Sequence, residues 1–280
     1  MNDARTYPHG VPCWVDTDQP DPLAGRHFYS ELFGWTFQDA APAGSPSYWI
    51  ASLDGSDAAA IAPGSGDSAA WNTYVAVDDA DAAAALVEES GGAVVSAPQA
   101  AGPAGRAAVC ADPAGAQFRL WQAGRRPGPQ IVNGVGAWNF SDVHTDDPDG
   151  AQEFYATVFG WEAHPLDLGG GATATMWRRP GYGDHLEATV DPDIRVRQAG
   201  LGPPGFEDAI GWLASLEAEA SAPHWHVTFT VADRDQSVAT VERLGASVLA
   251  SADTDWTRSA VIRDPQGAVL TLSQFTPPTG

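Results

Sequence analysis

A chain of 280 residues can bury one large core or two ordinary ones, and an apolar content of 44% marks it as globular. Its formal net charge of −22 disfavours phosphate backbones and anionic lipid surfaces, so neither nucleic acid nor a membrane is an expected partner. All 14 basic residues are arginine. That excludes, for this chain acting alone, a Schiff base on a lysine amine and the lysine of a phosphate-binding loop.

In chain order, Val11 to Thr17 reads as a strand. Asp21-Pro22 then opens a helix, with Asp as the cap and Pro at the first helical position. Phe28, Leu32 and Phe33 line one face of it and Gly34 ends it. Strands follow at Tyr48 to Leu53, Ala58 to Ala62 and Thr73 to Val77, then a helix from Asp81 to Glu89 closed by Gly91-Gly92. Val94-Val95, Ala107 to Ala111 and Gln117 to Gln122 complete the set, the last two joined by an Asp-Pro-Ala-Gly turn.

The chain then repeats itself. His27-Phe28-Tyr29-Ser30-Glu31-Leu32-Phe33-Gly34-Trp35 returns as Glu153-Phe154-Tyr155-Ala156-Thr157-Val158-Phe159-Gly160-Trp161. Trp71 with the strand Thr73 to Val77 returns as Trp225 with Val227 to Val231, and Arg106 to Pro113 returns as Arg258 to Pro265. The offsets are 126, 154 and 152 residues, so copy two carries an insertion between Trp161 and Trp225. Each copy is long enough to be a domain. The expected boundaries are 1–125 and 130–280, joined through the Gly- and Pro-rich stretch Ala123 to Gln130. The insertion is expected at about 191–222, with Phe206 to Ala220 as an amphipathic helix acting as a lid or as a dimer contact.

A strand-helix-three-strand unit, used twice per copy, resembles the vicinal-oxygen-chelate superfamily of glyoxalases, bleomycin-resistance proteins and extradiol dioxygenases. The carriers are the Phe-Tyr-x-x-x-Phe-Gly-Trp helix ends, Val77-Asp78-Asp79-Ala80-Asp81-Ala82, and the turns Asp112-Pro113-Ala114-Gly115 and Asp264-Pro265-Gln266-Gly267. The overall pattern is similar to two-domain glyoxalase-like proteins of actinobacteria. The resemblance implies an α+β fold: two tandem domains, each of two paired β-α-β-β-β units forming a half-open barrel whose cup holds a small organic molecule. Metal-dependent members hold a divalent cation there with His, Gln and Glu. The matching positions here are Trp14, Asn72 and Arg119 in copy one, and Phe140, His226 and Thr271 in copy two. Most of these cannot ligate a cation, so no cofactor is favoured. A divalent Fe, Mn, Ni or Zn ion would have to use His226, with Glu187 if His185 to Val190 is a strand.

In His224-Trp225-His226 both imidazoles share a strand face, as a metal or acid–base pair or as lining of the cup. Asp16 and Asp142 hold matching positions in the two first strands. Each is either a general base beside aromatic rings or a carboxylate that shapes the barrel through backbone and arginine hydrogen bonds. Asp142, His144 and His226 are the expected acid–base groups; Trp14, Asp16, Asn72, Tyr74, Arg119, Phe140, Trp177, His224 and Thr271 are the expected ligand contacts. Gly200-Leu201-Gly202-Pro203-Pro204-Gly205 spells a dinucleotide pattern, but two prolines remove the N–H groups such a loop needs. Cys13 and Cys110 are expected as buried free thiols, a single disulfide being the alternative. The opening residues lack the apolar stretch of a signal peptide and no run of about 18 apolar residues occurs, so a cytoplasmic location is expected. Three functions fit: a metal-independent protein that binds an aromatic or hydrophobic metabolite or converts it by acid–base chemistry, a metal-dependent lyase, isomerase or dioxygenase, and a non-catalytic oligomeric scaffold, homodimeric for example.

Overall fold

A computed structural model describes residues 4–42, 44–169, 172–199, 202–216 and 222–276. Copy one supplies β1 (Pro12–Gln19), α1 (Pro22–Phe33), β2 (Thr36–Asp39), β3 (Trp49–Leu53), β4 (Ser56–Pro63), β5 (Ala70–Ala76), α2 (Ala80–Glu89), β6 (Ala93–Ala100), β7 (Gly105–Ala111) and β8 (Gln117–Ala123). Copy two supplies β9 (Trp138–Thr145), α3 (Pro148–Phe159), β10 (Glu162–Gly169), β11 (Ala172–Arg178), α4 (Tyr182–Thr189), α5 (Ile194–Gln198), β12 (Ala209–Ser215), β13 (His224–Thr230), α6 (Arg234–Arg243), β14 (Ser247–Asp253), β15 (Thr257–Arg263) and β16 (Val269–Phe275). Each copy forms one eight-stranded mixed sheet, in the orders β2-β3-β4-β1-β5-β8-β7-β6 and β10-β11-β12-β9-β13-β16-β15-β14. Both orders end on unpaired edges, so the sheets are half-open barrels of two β-α-β-β-β units each. The Cys13 and Cys110 thiols are free and buried.

Local chemistry explains the helices. Asp21 accepts from the backbone N–H groups of Leu23 and Ala24, Asp79 from Asp81 and Ala82, Asp147 from Gly150, and Asp233 from Gln236. Gly34 and Gly160 end α1 and α3 in the left-handed region, at φ 74° and 69°, where a Cβ would be strained.

Two expectations fail in the insertion. His185 to Val190 is not a strand: it falls in α4, where Glu187 is paired with Arg195. Phe206 to Ala220 is not a helix: 209–215 is β12, hydrogen-bonded between β9 and β11, and 217–220 lie outside the described residues. The extra chain of copy two therefore lies between β11 and β12 and carries α4 and α5, so it begins and ends earlier than the expected 191–222 and overlaps it in part.

The compact units do not follow the copies. One comprises Met1–Cys13, Thr73–Gly128 and Ser141–Trp225; the other comprises Trp14–Asn72, Pro129–Phe140 and His226–Gly280. In the first, α3 of copy two packs its Phe154, Tyr155 and Phe159 on Phe118 from copy one. In the second, α1 of copy one packs Phe33 against Phe229 of copy two, ring centroids 4.9 Å apart. Each unit is locked by the same buried triad. The Tyr155 hydroxyl donates to Asp112 Oδ2 (3.0 Å) and accepts from Trp225 Nε1 (3.1 Å). The Tyr29 hydroxyl donates to Asp264 Oδ2 (2.9 Å) and accepts from Trp71 Nε1 (3.1 Å). The Tyr of the repeated helix motif and the Asp of the Asp-Pro turn are thus bonded to each other across the duplication.

Candidate functional site

Strand alternation sorts the side chains. On β9, Ser141, Val143 and Thr145 are buried, with Val143 in the core, while Phe140, Asp142 and His144 are half-buried on the opposite, open face. On β16, Leu270 and Leu272 enter the core and Thr271 and Ser273 take the open face.

Copy one spends its polar groups on one another. In the second unit, Asp16 is fully buried and both of its oxygens are engaged. The Tyr48 hydroxyl donates to Oδ2 (2.9 Å) and Asn72 Nδ2 to Oδ1 (2.9 Å). Asn72 also reaches Asp18 (3.1 Å), and Trp14 Nε1 donates to Tyr48 (2.8 Å). In the first unit, Arg119 Nη1 donates to the Tyr74 hydroxyl at 2.6 Å. Asp16 is built in as a bracing carboxylate.

Asp142 has the matching place in copy two and a different fate. β12 runs against β9 with Trp212 paired to Asp142. The approach requires glycine at 211, because a Cβ there would lie 2.3 Å from the Ser141 carbonyl oxygen. The Trp212 backbone N–H reaches the Asp142 carboxyl, but Oδ1 is sealed from solvent with no hydrogen-bond partner among the described residues. Burial outweighs that one bond and pushes the Asp142 carboxyl up to about 7. Two residues on, the His144 ring stacks on His224, centroids 4.8 Å apart and planes 20° from parallel. Burial, and then the neighbouring His224, lower His144 to about 4, so it is neutral at physiological pH. His224 Nδ1 donates to the Ala222 carbonyl (2.9 Å), which fixes its tautomer. This half of the sheet offers a carboxyl that titrates near neutral pH and two imidazoles on one face.

In the second unit, His226 is buried and its Nε2 lies 2.8 Å from Thr271 Oγ1. Trp177, expected at the ligand, is 1% exposed and packs in the core on Tyr155 and Trp161. Glu187, on α4, is half in solvent with Arg195. Two residues that the sequence reading passed over belong here: Trp212, readable only once β12 is known as a strand, and Gly211.

Residues 14–121 and 140–273 match the Glyoxalase-like domain family, once per copy. The chain belongs to this family. Two curated relatives resemble it over nearly their whole length. CFP32 of Mycobacterium tuberculosis, which its name assigns provisionally to the glyoxylases, is 34% identical over 279 residues, 97% of each chain. DnrV of Streptomyces peucetius, an anthracycline biosynthesis protein, is 34% identical over 95% of this chain and 94% of its own. The Mn(II)-bound glyoxalase of Novosphingobium aromaticivorans shares the fold, with a TM-score of 0.59 at 14% identity over 96% of this chain and 84% of the other. The chain is thus a tandem member of the vicinal-oxygen-chelate superfamily.

The superfamily's metal can be tested against the donors present. In each β-α-β-β-β unit that closes a copy, the last-strand position pairs with the residue two beyond the first-strand position: Tyr74 with Arg119, Thr228 with Thr271. The same rule in the opening units pairs Asp16 with Ala60 and Asp142 with Trp212. The positions are therefore Trp14, Ala60, Asn72 and Arg119 in copy one, and Phe140, Trp212, His226 and Thr271 in copy two. One imidazole among eight side chains does not make a divalent site. No group of three or more His, Cys, Asp or Glu side chains among the described residues is arranged to hold a metal ion. These residues do not fit the metal of the family.

Proposed function

We propose that this glyoxalase-like protein holds a hydrophobic, aromatic metabolite on the open face of its second sheet and exchanges a proton with it through Asp142. The carrying observation is the Asp142 Oδ1, sealed from solvent and without a hydrogen-bond partner among the described residues, on a half-buried strand face. A buried acceptor left unmet costs stability and is kept where a ligand supplies the missing bond. A carboxyl near 7 is poised to give and take protons at neutral pH. The neutral His144 ring and the His224 imidazole stacked on it add hydrogen-bonding edges, which favours a ligand bearing hydroxyl or carbonyl groups. No helix among the described residues is long and apolar enough to cross a membrane. The name of DnrV supports a polycyclic aromatic metabolite as the ligand class.

Carbon-13 NMR of the aspartate carboxyls tests the reading. One carboxyl should titrate near pH 7, and Asp142→Asn should remove that resonance. Any proton transfer the protein catalyses on phenols or hydroxyquinones should fall about 10²- to 10⁴-fold in the same variant. An Asp142 titration in the ordinary carboxylate range, or undiminished turnover in the variant, would refute the assignment.

A further inference from the structure

We propose that Trp256 and Phe275 form an aromatic platform on which one end of an elongated, flat, uncharged ring system stacks. The inference rests on the reading above only in taking the ligand to be aromatic. These two are the only exposed Trp, Tyr or Phe side chains among the described residues, at 39% and 54% exposure. They also lie against each other, with centroids 6.2 Å apart and planes 24° from parallel. Isolated apolar residues on a surface are ordinary; two neighbouring near-parallel rings left wet, where every other described Trp, Tyr and Phe is buried or half-buried, are not.

Their place on the strand supplies the ligand's dimensions. β16 pairs with β15 without a register shift, Thr257 against Phe275, Ser259 against Ser273 and Val261 against Thr271. Alternation therefore puts Thr271, Ser273 and Phe275 on one face, the face opposite the core residues Leu270 and Leu272. Exposure rises along that row from half-buried Thr271 and Ser273 to exposed Phe275, so the row runs from floor to rim. At its inner end the His226–Thr271 pair provides polar contacts. Four residues at about 3.3 Å each set the two ends roughly 13 Å apart along the strand. That span suits three or four fused rings and exceeds a single ring. The cross-strand neighbour of Phe275 is Thr257, an uncharged side chain beside the ring.

The test is binding of 1,4-dihydroxyanthraquinone, a neutral three-ring probe, followed by its visible absorbance, with resorcinol as a one-ring control followed by ligand-observed NMR. Trp256→Ala and Phe275→Ala should each weaken the three-ring probe by roughly tenfold, and Trp256→Phe should restore most of that loss. Resorcinol should bind the variants as it binds the wild type. Both residues are solvent-facing, so circular dichroism melting should show unaltered folding. Equal affinity of wild type and variants for the anthraquinone would overturn the platform while leaving the Asp142 reading intact. Failure of the wild type to take up either probe would overturn both. A dimer in sedimentation that Trp256→Ala dissociates, with unchanged probe affinity, would reassign the rings to a contact with a second copy.

Discussion

Asp264→Ala is expected to destabilise the protein by about 4 kcal/mol, lowering the melting temperature by roughly 10 °C. Asp264 is 4% exposed and serves four donors at once. Its Oδ2 accepts from the Tyr29 hydroxyl (2.9 Å) and from Gln19 Nε2 (2.9 Å); its Oδ1 accepts from the backbone N–H groups of Gln266 and Ala268, both at 2.9 Å. Alanine takes this acceptor from all four donors, and each buried orphan costs about 1–3 kcal/mol before relaxation. Tyr29→Phe keeps the ring stacked among Phe33, Trp35 and Trp71 and loses only the hydroxyl, so about 1 kcal/mol is expected. Urea unfolding of the two single variants and the double measures the pair. Coupling below about 0.5 kcal/mol would mean that the lock does not join the helix of copy one to the turn of copy two.

The lock also marks the limit of sequence reading. Tyr29 and Asp264 stand 235 residues apart, and Tyr155 and Asp112 belong to different copies. Each residue is visible as a repeated motif, yet pattern alone cannot say that the motifs of opposite copies meet. The helices of copy one were legible because each carries its own Asp cap and buries one face, and most of its strands because turn residues punctuate them; the short, largely exposed β2 went unread. The insertion misled for a physical reason. β12 runs between β9 and β11 and buries Ile210, Gly211 and Leu213, so its apolar residues do not alternate and pass for a helical stripe. His185 to Val190, with β-branched residues at its end, reads as extended. It is helical beneath the N-terminal segment, where Arg5 reaches the Tyr182 hydroxyl and Thr6 meets His185. Asp16 and Asp142 look equivalent in sequence. What separates them is the Tyr48 and Asn72 partners of the first, and a difference in partners is invisible until the strands are in register.

Asp142→Asn is expected to stabilise the protein at pH 8 and to leave it unchanged near pH 4. Folding raises the Asp142 carboxyl from its ordinary 3.8 to about 7, so between those values the folded chain holds a proton that the unfolded chain has released. Stability contributed by this group is therefore fully present below pH 3.8 and lost as pH rises towards 7, by roughly 3 kcal/mol once its partial solvent contact is allowed for. His144 works in the opposite direction. Its folded value of about 4 lies below the ordinary 6.5, so its contribution is present above pH 6.5 and lost as pH falls towards 4. In the wild type the two slopes offset each other across the shared window. Asn removes only the first, so the stability difference between variant and wild type should be near zero at pH 4 and grow to about 2–3 kcal/mol by pH 8, the residual burial of an amide trimming the gain. His144→Gln should show the mirror image, with its gain confined to low pH. Urea midpoints at pH 4.5, 6 and 8 for the three proteins decide the matter. A variant difference that does not change with pH would show that Asp142 ionises in the fold as it does in water, and the proton-transfer role would fall with it. A variant that is more stable yet unable to exchange a proton with its ligand is the pattern expected where a fold keeps a group strained for its chemistry.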